Sequence, residues 1–328
     1  MLVEKVKRYI AREKGRIPMM GYGHFFVGVL FQVMAVLGCR RVATYFNSIY
    51  SKKVVNYLEK NYLSCDTIDC LIAEAEDHGM IDTPTSSDKI WVFWGQGEKN
   101  MSEMIKACLN NLRRYSNGRD VVVLDIKNYS QYVSFPDYVV EKYKMGIIPI
   151  QQFSDLLRAA LLYQYGGMWI DAGIFATENI PDTFFKSDFH SPKCTNIDSY
   201  HISQFRWCVT VMGGPKGNKI MSFLYATLLE YWHKEHALID YFLTDYIIYL
   251  GYKHVPVIRK MLDRIPENNG DLFWFIEHAD EKYDKCKMKE VMEHNFLFKL
   301  SLKKKLDRVR GSYGEKIVTL LLKNEKLS

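Results

Sequence analysis

The sequence predicts an α/β fold, a mostly parallel sheet flanked by helices, with helical regions before and after it. Three observations carry this. Between residues 90 and 171, short apolar runs rich in β-branched and aromatic residues alternate with segments of helical spacing, the pattern of strands joined by helical crossovers. The runs are apolar throughout rather than alternating, as strands covered on both faces are. Before residue 82 and after residue 216 the apolar spacing is helical instead.

The first apolar run is 25–39, FFVGVLFQVMAVLGC, interrupted by Gln32. It is shorter than the roughly 20 residues of a spanning helix. It also follows a long basic stretch, and Arg40 and Arg41 stand where a signal peptide would have small residues for cleavage. The run is expected to be a helix of the N-terminal region, either buried or dipping into an anionic leaflet beside Arg40, Arg41, Lys52 and Lys53. The polar run 82–88, DTPTSSD, has turn chemistry and marks a boundary. Strands are expected at 90–94, 121–124, 146–150 and 168–171, and another over 205–212 closed by a turn at Gly213 and Gly214. Helices are expected at 101–114, at 154–165 with Ser154 as N-cap and Asp155 in the first turn, at 218–234, at 239–251 and from 281 onward. The chain therefore divides into a helical N-terminal region (1–82), a central α/β domain (83–265) and a helical C-terminal region (266–328).

The 328 residues carry 44 Lys and Arg against 38 Asp and Glu, with 48% hydrophobic and 25% charged residues. That is ordinary globular usage and excludes fibrous or wholly disordered chains. Charge is uneven. Residues 1–60 hold 11 basic and 3 acidic groups and residues 299–328 hold 9 and 3, so the middle is acidic. Basic ends suit an anionic lipid surface. The cluster Lys303, Lys304, Lys305, Arg308 and Arg310 has no aromatic-studded motif beside it, and no nucleic-acid partner is expected. Seven cysteines, odd in number and never at CxxC spacing, suggest neither a disulfide framework nor a zinc knuckle. They fit a reducing cytoplasm. Neither a phosphate-binding GxxxxGK[ST] loop nor a GxSxG elbow occurs, and Glu230, His233 and His236 read as a solvated helix face.

In open α/β sheets ligands bind beyond the carboxyl ends of the strands. Trp94, Gly95 and Gln96 follow one such end, and Asp171, Ala172 and Gly173 another. Asp155 and Arg158 share a helix face three positions apart and can meet each other or a common ligand. The block 154–171, SDLLRAALLYQYGGMWID, joins these groups in a single helix, Gly-Gly turn and strand end.

This block resembles the glycosyltransferases with a DxD motif and, more closely, the capsular polysaccharide synthesis proteins. The likeness extends more loosely over 90–249, through Gly213 and Gly214 and the aspartate-bearing stretch LIDYFLTDY. It implies a nucleotide-diphospho-sugar transferase fold of the GT-A type and transfer of a hexose from a nucleotide-sugar donor, a UDP-sugar, with retention of configuration. The acceptor it implies is a growing capsular or other surface polysaccharide or its lipid carrier, reached in the cytoplasm at the inner face of the membrane. Asp171 is expected to hold a divalent cation, Mn2+ or Mg2+, that neutralises the leaving diphosphate. Asp155 is expected on the donor sugar hydroxyls and Arg158 on the sugar or a phosphate. Trp94, Gly95 and Gln96 are expected at the nucleotide, Gly213 and Gly214 beside the donor, and Asp245 at the metal, diphosphate or acceptor. Asp240 is a further acceptor-side candidate.

The chain departs from the DxD pattern at Gly173, where a second carboxylate would stand. That departure leaves open a non-catalytic glycan-binding or assembly subunit of the same fold; a sugar-phosphate transferase using the same diphosphate chemistry is a second alternative.

Overall fold

The computed structural model describes residues 7, 10, 11, 13–63, 88–194, 200–301 and 305–325. Most of the 82–88 boundary, Cys65, Cys70, Lys303 and Lys304 lie outside these. The strands among them are β1 (Ile90–Phe93), β2 (Val121–Leu124), β3 (Gly167–Ile170), β4 (Ile174–Ala176), β5 (Val211–Gly214) and β6 (Leu297–Lys299). Helices α1 (Ile17–Val36) and α2 (Arg40–Tyr62) precede the sheet. Helices α3 (Glu103–Arg114), α4 (Asp137–Lys144), α5 (Ile150–Gln164), α6 (Thr183–Lys186) and α7 (Lys219–Lys234) run through it. Then come α8 (Leu243–His254), α9 (Pro256–Asp263), α10 (Trp274–His278), α11 (Lys285–His294) and α12 (Tyr313–Leu322).

The main sheet has the order β2-β1-β3-β5. Strand β1 pairs in parallel with β2 and β3, and β5 runs antiparallel to β3 with Ile170 opposite Val211. Side chains alternate across it with period two. Trp91, Phe93, Trp169 and Met212 enter one core with Phe153 and Leu157 of α5, Leu224 and Leu228 of α7 and Ile247 of α8. Ile90, Val92, Met168, Ile170 and Val211 enter a second core with Ile105, Leu109 and Leu112 of α3. Each such apolar side chain stabilises the fold by about 1.5–3 kcal/mol. Covering on both faces is why the strands read as unbroken apolar runs.

Helix α2 belongs to the first core, since Tyr50, Val54, Leu58 and Tyr62 cluster with Trp91 and Trp169. Helix α1 is different. Of its 20 residues only His24 and Gly28 are buried, and by length and composition it could cross a membrane. It is longer than the 25–39 run suggested because it starts at Ile17 with Pro18 in its first turn.

Several expected elements differ. Residues 146–150 form no strand, although three isoleucines give them a β appearance. Pro149, whose fixed φ and missing N–H suit a helix start, is the N-cap of α5. Ser154 and Asp155 therefore sit inside that helix, beyond the reach of its dipole. Gly213 and Gly214 are strand residues rather than a turn, and 239–242 precede α8 instead of opening it. The expected continuous helix from 281 is broken by β6, which pairs antiparallel with β4 so that Lys299 stands opposite Ile174.

Candidate active site

A cavity of about 680 Å3 opens beyond the carboxyl ends of β1 and β3, within the usual 300–1,000 Å3 of small-molecule sites. Its wall gathers Trp94, Gly95 and Gln96 after β1, Asp155 and Arg158 from α5, Asp171 after β3, and Asp245 from α8. Gly213 and Gly214 do not line it. Their buried backbones pack instead against neighbouring chain, where a Cβ on Gly213 would lie 2.6 Å from the carbonyl oxygen of Gly167 and one on Gly214 2.8 Å from that of Asp188. Asp240 also stays outside and accepts a hydrogen bond from Tyr50.

Asp171 is fixed from three directions. Its backbone N–H donates to Thr210 at 2.9 Å, continuing the pairing of β3 with the segment that leads into β5. Trp169 Nε1 donates to Oδ1 at 2.9 Å, and Arg158 Nη2 to the same oxygen at 3.3 Å. Lys299 Nζ donates to Oδ2 at 2.7 Å. Burial pushes against ionisation of this carboxyl, but Lys299 and Arg158 outweigh it and hold Asp171 below the usual carboxylate range.

Arg158, 4% exposed, bridges two carboxylates, with Nη1 3.0 Å from Asp155 Oδ1 and Nη2 on Asp171. Its guanidinium lies 4.8 Å from the Trp169 ring centroid, a stacking that suits a planar cation. Gln152 Nε2 donates to Asp155 Oδ2 at 3.0 Å. Burial nevertheless pushes Asp155 up to about 6 against the pull of Arg158. Asp245 is buried, accepts a hydrogen bond from Trp207 Nε1 at 3.0 Å, and is pushed up by burial to about 7. His201 Nε2 lies 3.6 Å away, but burial lowers that imidazole to about 4, so it is neutral near pH 7.

The residues present do not fit the expected divalent cation. A hard cation wants several oxygen ligands, yet among the described residues no three His, Cys, Asp or Glu side chains are grouped so that they could hold one ion. Both oxygens of Asp171 are already taken by cationic or N–H donors, and Gly173 brings no side chain to the cavity. In this arrangement Asp171 anchors Arg158 and Lys299.

Sequence reasoning missed Lys299, Trp207, Thr210 and the pair Tyr241 and Phe242, all of which line the cavity. Lys299 left one signal, a single charge inside the apolar run NFLFKLSL, where an amphipathic helix would have more polar residues.

The family model described as capsular polysaccharide synthesis protein matches residues 40–317, more than the 90–249 of the sequence likeness, and takes in α2 and Lys299. The chain is 36% identical over 109 residues to the O-glycosyltransferase braB of Annulohypoxylon truncatum, covering 30% of this chain and 26% of that protein. It is 27% identical over 178 residues to the glycosyltransferase afumC of Aspergillus fumigatus, 48% of this chain and 42% of that one. It is 26% identical over 168 residues to the O-glycosyltransferase PaGT of Phomopsis amygdali, 45% and 40% respectively. The matched regions span less than half the length of these curated relatives. Because the family match spans most of the chain, from the first residue of α2 into α12, the chain belongs to the capsular polysaccharide synthesis protein family.

Proposed function

We propose that this protein is a glycosyltransferase of GT-A type that moves a sugar from a nucleotide donor, a UDP-sugar, to a growing capsular or other surface polysaccharide or its lipid carrier. One observation carries the reading: Asp155, Arg158 and Asp171 converge in one cavity at the carboxyl ends of parallel strands, where α/β sheets bind ligands. The relatives, named as glycosyltransferases, support sugar transfer.

In this reading Trp94, Gly95 and Gln96 meet the nucleotide. Asp155 accepts hydrogen bonds from sugar hydroxyls, and Arg158 holds the sugar or diphosphate through its charged fork. Asp245, Tyr241 and Phe242 form the acceptor side. Retention of configuration belongs to the same reading and is checked by the anomeric proton signals of the product. The enzyme works in the cytoplasm at the inner membrane face, with α1 as its contact.

Isothermal calorimetry and thermal shift with UDP and a panel of UDP-sugars test the function. Binding of UDP and slow release of UDP from one donor are expected. Failure of every nucleotide and sugar nucleotide to bind would overturn the proposal. Binding without turnover would favour the non-catalytic subunit that Gly173 suggests, and release of UMP a sugar-phosphate transferase.

A further inference from the structure

We infer that Lys299 takes the place of a divalent cation at the donor diphosphate, so that sugar transfer by this protein is independent of metal. The inference rests on the glycosyltransferase reading and deepens it.

The position of Lys299 is built into the fold. Strand β6 holds it opposite Ile174 of β4, three residues beyond Asp171, and the Asp171 carboxylate holds its ammonium at 2.7 Å. The side chain is 22% exposed and lines the cavity. An ammonium has three N–H donors, and the hydrogen bond to Asp171 uses one. The other two can meet phosphate oxygens. Arg158 reaches Asp171 from the other side, so one carboxylate fixes two cations at one cavity wall. Two fixed positive charges match the charge that develops on a departing diphosphate, and they cost no reorganisation when it appears. The alternative, a cation on Asp171, would have to displace Lys299 from Oδ2 and would find no second carboxylate at Gly173.

The step balances without a metal. The acceptor hydroxyl oxygen bonds to the anomeric carbon, and the bond from that carbon to the diphosphate oxygen breaks with its electron pair going to the diphosphate. The hydroxyl proton passes to the departing diphosphate oxygen, and Lys299 and Arg158 hold the remaining charge. Asp171 acts as a positioning residue for both.

The test uses the full chain, with UDP and uridine as probes and calorimetry as a readout besides turnover. Wild-type affinity for UDP and donor turnover are expected to change less than about twofold between excess EDTA and millimolar Mn2+. Lys299→Gln is expected to weaken UDP binding by about tenfold or more, the loss of a charge-assisted contact, and to leave uridine binding unchanged. Lys299→Arg, which keeps the charge, is expected to recover most of the UDP affinity, and circular dichroism verifies that both variants fold. UDP binding or turnover that requires Mn2+, or a Lys299→Gln protein that is folded and binds UDP as wild type does, would overturn this inference alone. A wild-type protein that binds no nucleotide under either condition would overturn the glycosyltransferase reading and this inference with it.

Discussion

Tyr50 and Asp240 are 190 residues apart in the chain, and the tyrosine hydroxyl donates to Asp240 Oδ2 at 2.8 Å. Arg16 completes the link, with Nη1 donating to the Tyr50 hydroxyl at 2.9 Å and Nε to the Leu238 carbonyl at 2.9 Å. The other Asp240 oxygen accepts the Phe242 N–H at 2.8 Å. The N-terminal helices thus brace the segment that presents Tyr241 and Phe242 to the cavity and leads into Asp245. Tyr50→Phe removes the donor from a buried carboxylate, a loss of about 1–3 kcal/mol. A lower melting temperature is expected, together with a KM for acceptor that rises more than the KM for donor. Equal changes in both constants would separate the brace from the acceptor side.

Asp245 makes stability depend on pH. Its carboxyl titrates near 7 in the folded protein, against 3.8 ordinarily. Between about pH 4 and 7 the folded state therefore binds more protons than the unfolded chain, and stability falls as pH rises through that window, by at most about 1.4 kcal/mol per pH unit. Asp245→Asn keeps an oxygen for Trp207 Nε1 and removes the buried charge. The variant is expected to melt higher than wild type at pH 8, with the difference shrinking towards pH 5. Melting curves recorded at both pH values check this, and a pH-independent difference would contradict it. UDP affinity is expected to survive the substitution, whereas transfer to acceptor falls.

How much of this site could be read in advance follows the length of its elements. Asp155, Arg158 and Asp171 were legible because one contiguous helix, turn and strand carries them, and Trp94 to Gln96 because breakers at a buried strand end mark a ligand crevice. Lys299 was not. It lies 128 residues from Asp171, on a three-residue strand paired with another of three residues, and neither is long enough to show a period. The start of α5 was misplaced because Ser154 is a good cap by chemistry, while Pro149, five residues earlier, has the stronger backbone constraint.

Gly213 and Gly214, expected beside the donor, stand in strand β5 and do not line the cavity. Gly213 stands opposite Met168 in the β3 and β5 register. A Cβ there would lie 2.6 Å from Gly167 O and 3.1 Å from Met168 Cα, both backbone atoms that cannot swing aside. Gly213→Ala is expected to cost about 1–3 kcal/mol through overpacking. UDP affinity measured well below the melting temperature is expected to stay at the wild-type value. Loss of nucleotide binding in a protein that melts normally would return this glycine to the donor site.

Helix α1 supplies the last prediction. Tyr22, Phe26 and Leu30 are exposed and recur every four residues along one stripe, continued past the helix end by Leu37. Arg40, Arg41, Lys52 and Lys53 are exposed on the adjoining helix. An apolar stripe beside exposed cations suits an anionic bilayer surface, where each basic residue near the headgroups adds about 1 kcal/mol. The full chain is expected to co-sediment with vesicles containing phosphatidylglycerol, to bind neutral phosphatidylcholine vesicles more weakly, and to be released from membranes by alkaline carbonate, as a peripheral protein is. Phe26→Asp is expected to weaken vesicle binding at any salt concentration, because it removes buried apolar area, while Arg40→Glu with Arg41→Glu weakens it mainly at low salt, where charge attraction is least screened. Resistance to carbonate would instead make α1 a spanning helix, and equal binding to both vesicle types would remove the basic residues from the contact.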